Sequence, residues 1–325
     1  VSLVHDVDWE QFVNRASWLA IALSAVFLGA IAFVAYRNLS PLLAAAFLLI
    51  VAVTVFAPQA SFVQADLAYY ALFFCSWWSM SRLIERPTIF RAIGVGLLLG
   101  LTYLTKASVL LAVPILFGVL VLRAVLSRRT KTEVEARAAA SPSNQVSQND
   151  SARRAVCTAV VTLIVFLATI FPYLHNNHER FGRYFYNVNT TFFVWCDSWS
   201  QAQRFAEKYS IDRQFPIAPP ESIPGPQNYW RTHSIEQIGR RLAYGLKTLG
   251  RLAVESASLK YLIILAAFAG ILSIVNPSSA RNIIQNHRWP LVLSGLLCCA
   301  YVLAYSWYVV VAYGDRFILS LVPPL

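Results

Sequence analysis

Apolar runs of membrane length alternate with short polar turns along most of the chain. A run of about 20 apolar residues spans the hydrocarbon layer of a bilayer as a helix. By that pattern spans fall at 18–36, 42–57, 67–84, 92–104, 107–122, 155–174, 259–275 and 291–311. The last residues, Pro323-Pro324-Leu325, read as the beginning of a ninth. The expected fold is therefore all-α, a polytopic transmembrane bundle of eight to nine spans. The expected divisions are transmembrane helices over 1–122, a basic linker without structure over 123–154, one span over 155–174, an outer segment over 175–255 and C-terminal spans over 256–325. The chain begins at Val1 rather than Met and reads as cut at both ends.

Two features of the polar segments change this picture. The linker is rich in Ser, Asn, Gln, Arg and Ala, a composition that buries little. Residues 235–254 instead predict an amphipathic helix: Ile238, Leu242, Leu246 and Leu249 recur at spacings of four, four and three, with Arg240, Arg241, Lys247 and Arg251 between them. Such a helix lies in the interface and attracts anionic headgroups.

Composition agrees with a membrane protein: 57% of the 325 residues are hydrophobic and only 13% charged. The net charge of +11 does not call for nucleic acid, because the basic residues gather in a few loops. Loops 37–41, 82–91, 123–154 and 277–289 hold the arginines and are assigned to the cytoplasm. The opposite side then carries 1–16, 58–66, the turn at Lys106, 175–255 and 313–316. Four of the five cysteines lie in apolar runs, so neither a disulfide framework nor a metal cluster is expected.

Lys106 and Arg316 break the charge bias, and the candidate chemistry gathers on their side. Lys106 ends an apolar run and is followed at once by another. A lysine there either snorkels to the interface or meets an anion. Asp66 opens a span, either as a helix N-terminal carboxylate or as a group that orients a hydroxyl or holds a divalent ion. Asp315 and Arg316 form either a local ion pair or a phosphate contact. The stretch from Phe185 to Trp199 mixes aromatic rings with amides, hydroxyls and one acid. That is the composition of an interfacial aromatic belt or of a surface that stacks on sugars, with Tyr186, Asn187, Trp195 and Asp197 as the contacts. Asn189-Thr190-Thr191 is a glycosylation sequon. His175 and His178 stand three apart, unlike the four-residue spacing of a helical zinc motif. No Gly-rich phosphate loop and no Ser/His/Asp or Cys/His arrangement stands out.

Gln64-Ala65-Asp66-Leu67, Gly100-Leu101-Thr102-Tyr103-Leu104-Thr105-Lys106 and Gly314-Asp315-Arg316-Phe317 with Pro323-Pro324 resemble the polytopic GT-C glycosyltransferases. The resemblance is to the branch of protein O-mannosyltransferases, aminoarabinose transferases and RgtA/B/C/D-like bacterial enzymes, over most of 12–122 and over 300–325. It implies a sugar donor on a polyprenyl phosphate, an acceptor that is a lipid, glycan or protein, and transfer with inversion on the outer face. Asp66 matches the family's second acid, which supports the acceptor or a divalent cation. Lys106 and Arg316 would hold the phosphate. The family's main acid lies in a first outer loop; Asp6, Asp8 and Glu10 fall near the end of such a loop but do not match it. The expected location is a bacterial inner membrane, with the endoplasmic reticulum left open by the sequon. The rivals are a lipid or solute transporter, against which no internal repeat is apparent, and an inactive scaffold.

Overall fold

The computed structural model describes residues 9–38, 40–56, 66–137, 145–211, 214–255, 267, 270, 271 and 273–312. Asp6, Asp8, Asp315, Arg316, most of the 58–66 turn and much of the seventh expected span lie outside them. Among the described residues the chain is helical and has no strand.

In chain order the helices are α1 Trp9–Asn38, α2 Pro41–Val51, α3 Asp66–Glu85, α4 Ile89–Thr105, α5 Ala112–Arg137, α6 Gln145–Phe181, α7 Trp199–Tyr209, α8 Pro226–Thr232, α9 Ile235–Glu255, α10 Pro277–Asn286 and α11 Arg288–Tyr308. Local chemistry sets several of their ends. Extended Ser40 and Pro41 open α2, where a missing N–H costs nothing. Pro87 follows α3 closely, and the Arg91 guanidinium donates to the Arg82 carbonyl, which also accepts from the Arg86 amide, and to the carbonyl of Arg86 just past the helix. Thr88 caps α4 by accepting from the Arg91 amide.

Among the described residues, four segments are long and apolar enough to cross a membrane: Ser17–Arg37, Ala107–Leu126, Arg153–Phe181 and Arg288–Tyr308. The second includes the short tight turn Ala107–Leu111 that leads into α5. Their outward surface is apolar, with Val26 66%, Phe33 64% and Ile164 60% exposed, as suits a surface that meets lipid. Three of the other expected spans are shorter or more polar. Helix α4 has 17 residues, α2 has 11, and the 20 residues of α3 include Asp66, Arg82 and Glu85.

Close packing in this bundle depends on small residues. Helices α4 and α6 cross at Gly96 and Gly100. A Cβ at Gly96 would stand 2.6 Å from the Thr162 carbonyl, and one at Gly100 would stand 2.5 Å from Thr169 Cβ. Two glycines four apart thus let the backbones approach, as in small-xxx-small membrane contacts. Hydroxyls add polar links: Ser76 and Thr102 share a hydrogen bond of 2.9 Å between α3 and α4, and Thr162 donates to the Ala92 carbonyl from α6. Aromatic side chains join α3 to α11, with Phe73 edge-on to Tyr301 at 5.3 Å.

Two segments add local detail to the expected pattern. The linker is helical at both ends: α5 runs to Arg137 and α6 starts at Gln145. Ala, Arg, Lys and Glu favour helix even where they bury little, so polarity alone was a poor guide to this stretch. Helix α9 occupies the expected range, but its buried stripe is Arg241, Gly245, Leu249 and Leu252. Gly245 packs directly on the Ser306 backbone of α11. Leu246, on the expected apolar face, is 41% exposed, as suits a face turned to the membrane interface rather than to the bundle.

Candidate functional site

Asp66 and Lys106 meet in the structure. Asp66 is the first residue of α3, and Lys106 follows the last residue of α4 in extended conformation. The two helices form an antiparallel pair, so the start of one lies beside the end of the other. Each charge complements the dipole of its own helix end: the carboxylate faces exposed N–H groups, and the ammonium faces exposed carbonyls. Lys106 Nζ donates to Asp66 Oδ1 at 2.9 Å. The Asp66 side chain is 12% exposed and that of Lys106 24%, so the pair is largely desolvated while the ammonium remains reachable.

The surroundings of the pair come from α3, the turn Ala107–Leu111 and α11. Lys106 Nζ lies 5.2 Å from the centre of the Tyr69 ring, a cation–π contact. Ser108 donates its hydroxyl to Tyr69 Oη at 2.9 Å. Tyr301 of α11 donates to the Ser108 carbonyl at 3.0 Å. The break between α4 and α5 is therefore fixed from both sides, and Lys106 is held by α3, its own turn and α11.

A second constellation centres on Arg241, buried on α9 with a side chain 6% exposed. Its guanidinium donates to Asp197 Oδ1 at 3.2 Å, to Tyr229 Oη at 3.0 Å and to the carbonyls of Val194 and Trp307. The Trp307 carbonyl belongs to the last turn of α11, so Arg241 caps that helix. The cation also sits 4.4 Å from the Trp307 ring centre. Asp197 is fixed further by His233 Nε2 at 3.0 Å and by the Tyr229 hydroxyl at 3.2 Å. Half of its side chain remains exposed, so a carboxylate of set orientation faces outward beside Trp195, Tyr229 and Trp307. Burial raises the Tyr229 phenol above its ordinary pKa, against the pull of Arg241. Burial, and then the charge of Asp197, pushes the Cys196 thiol up to about 11.

The expected contact residues thus divide. Trp195 and Asp197 join the Arg241 constellation. Tyr186 is instead a core residue, 4% exposed and stacked 4.1 Å from Phe181. The Tyr186 hydroxyl donates to the Ile211 carbonyl, and the Asn177 amide donates to the Tyr186 carbonyl. Asn187 caps the single helical turn Val188–Thr191, its Oδ1 accepting from the amides of Asn189 and Thr190. These two side chains are engaged in holding the segment together. Helix α11 connects the two constellations: Trp307 lies six residues beyond Tyr301, about 9 Å along the axis.

Arg241, Tyr229, His233 and Trp307 were not anticipated. An arginine on a helical stripe reads as polar surface, although its spacing to Gly245, Leu249 and Leu252 matches that of a buried face. His175 pairs with Glu179 at 3.2 Å, and His178 stacks on Tyr184. Among the described residues, no group of three or more His, Cys, Asp or Glu side chains gathers to hold a metal ion. No protein-family model, curated protein or solved structure matches the chain.

Proposed function

We propose that this chain is the membrane-embedded part of a glycosyltransferase that moves a sugar from a polyprenyl-phosphate donor to a lipid, glycan or protein acceptor. The observation that carries the reading is the desolvated Asp66–Lys106 pair, at helix ends rather than in mid-span. A charge pair at an interface suits chemistry on a lipid headgroup, whereas a transport path would put its charges within the bundle. The resemblance of the Asp66 and Lys106 segments to GT-C enzymes agrees with this.

In the proposed reaction the acceptor hydroxyl oxygen attacks the anomeric carbon. The bond from that carbon to the phosphate oxygen breaks, and its electron pair leaves with the lipid phosphate. Lys106 stabilises the developing phosphate charge, assisted by Arg316. Asp66 orients the acceptor and holds Lys106 in place. The proton of the acceptor must pass to a general base, a role that the resemblance gives to a carboxylate of a first outer loop and that no acid of this chain is matched to. The half-exposed Asp197 and the neighbouring Trp195 are the proposed sugar or acceptor contacts. The full assembly on this reading has eight to nine spans in a bacterial inner membrane. Asp66, Lys106 and the 182–234 segment face outward.

The test is transfer from a labelled polyprenyl-phosphate sugar by the full-length protein in liposomes. Transfer by the parent, lost in Asp66→Asn and Lys106→Ala variants that remain folded, is the expected result. Undiminished transfer by both variants would place the chemistry elsewhere. Movement of the intact lipid across the bilayer without transfer would instead support the transporter.

A further inference from the structure

A groove of about 450 Å³ runs between α5 and α6, at the end where both helices carry arginines. Phe117, Leu120, Val121 and Val125 line it from α5, and Val156 and Leu163 face them from α6. Every lining side chain is hydrocarbon, so the groove offers water no partner. Val121 and Val156 are each 61% exposed, which leaves one wall open to the surrounding membrane. A groove of this size, open sideways between two spans, fits an acyl chain.

Charge at its rim narrows the occupant. Arg153 and Arg154 are exposed and immediately precede Ala155, itself a lining residue. The helical rise therefore sets both guanidinium stems within about 3 Å, along the axis, of the end of the groove. Arg123, the nearest arginine on α5, is engaged elsewhere: it donates to the Glu85 carbonyl of α3 at 3.2 Å. Guanidinium groups bind phosphate through paired N–H donors, and basic sites beside transmembrane helices attract anionic headgroups.

We infer that this groove is a binding site for one anionic glycerophospholipid. An acyl chain lies between α5 and α6, and the headgroup phosphate rests on Arg153 and Arg154. The site is independent of the proposed transfer reaction and lies at the far end of α5 from Lys106.

Native mass spectrometry of the full chain released from vesicles tests it. The vesicles contain equal phosphatidylglycerol and phosphatidylcholine with the same acyl chains. The parent should retain one phosphatidylglycerol. Its preference over phosphatidylcholine should be about 25-fold, from two arginines at about 1 kcal/mol each. Arg153→Gln/Arg154→Gln, at exposed positions that leave the fold intact, should lose that preference. Ala159→Phe, which fills the groove, should lose retention of both lipids while keeping its thermal midpoint. Equal retention of the two lipids by the parent, or an unchanged preference in the arginine variant, would overturn the proposal. Retention of phosphatidylglycerol by a folded Ala159→Phe protein would overturn the acyl-chain assignment.

Discussion

The Asp66–Lys106 pair predicts a particular pattern of energetic coupling. At 2.9 Å the charges attract by about 1.4 kcal/mol in water and by about 6 kcal/mol at the effective dielectric of a protein site. Desolvation offsets part of this, and the 24% exposure of Lys106 keeps the pair short of the fully buried limit. Lys106→Met keeps the aliphatic stem but strands a carboxylate that is 12% exposed, which should cost about 3 kcal/mol. Asp66→Asn leaves an amide oxygen for the ammonium and a good residue at the start of α3, and should cost about 1.5 kcal/mol. The double variant removes both charges and should cost only about 1.5–2 kcal/mol. The cycle therefore has a coupling energy of about 2.5–3 kcal/mol. Reversible unfolding of the four proteins in mixed micelles, followed by circular dichroism, measures it. Costs that add within about 0.5 kcal/mol would refute the argument, because uncoupled residues cannot share a desolvated ion pair.

Other predictions concern packing and the Arg241 constellation. Gly100→Leu should prevent α4 from seating on α6 and abolish a cooperative thermal transition. Gly94→Ala, where a Cβ meets nothing within 4 Å, should keep or slightly raise the midpoint. Arg241→Ala should destabilise by about 3 kcal/mol and open the 182–234 segment to limited proteolysis. Arg241→Lys should recover little of this, since an ammonium cannot reach four acceptors on different segments. The Cys196 thiol holds its proton up to about 11, above the ordinary thiol value. Its contribution to stability is therefore complete below about pH 8.5, the unfolded thiol pKa, and is lost as pH rises through the native value. Cys196 is fully buried and its thiol is held protonated above its ordinary range, so it should resist a membrane-impermeant maleimide until the protein is denatured.

The comparison of pattern with structure is instructive at α9. Its range was legible because charged and apolar residues recur with a helical period. The face it buries was not: periodicity gives several parallel stripes, and the choice fell to the partner. Gly245 admits the Ser306 backbone, and Arg241 then meets Trp307, Val194, Tyr229 and Asp197 together. No residue in the sequence announces that an arginine will be buried, because the groups that neutralise it lie 12 to 66 positions away. Tyr186 shows the reverse case: an aromatic in a polar outer segment reads as a contact surface, and packing buries it.

What the sequence determines by itself is local. Apolar length and composition specify helices, their approximate ends and a membrane as solvent, since only a helix satisfies its own backbone in lipid. Asp66 and Lys106 were legible as exceptional charges because each stands at the edge of an apolar run. That they form one pair, 40 positions apart, depends on the antiparallel contact of α3 and α4. Which helices touch was likewise settled in three dimensions, where Gly96, Gly100 and Gly245 allow close approach and their neighbours supply the opposing surface. Solvent preference acts residue by residue and can be read along a chain; burial, pairing and capping depend on what a distant segment brings, and only the packed structure decides them.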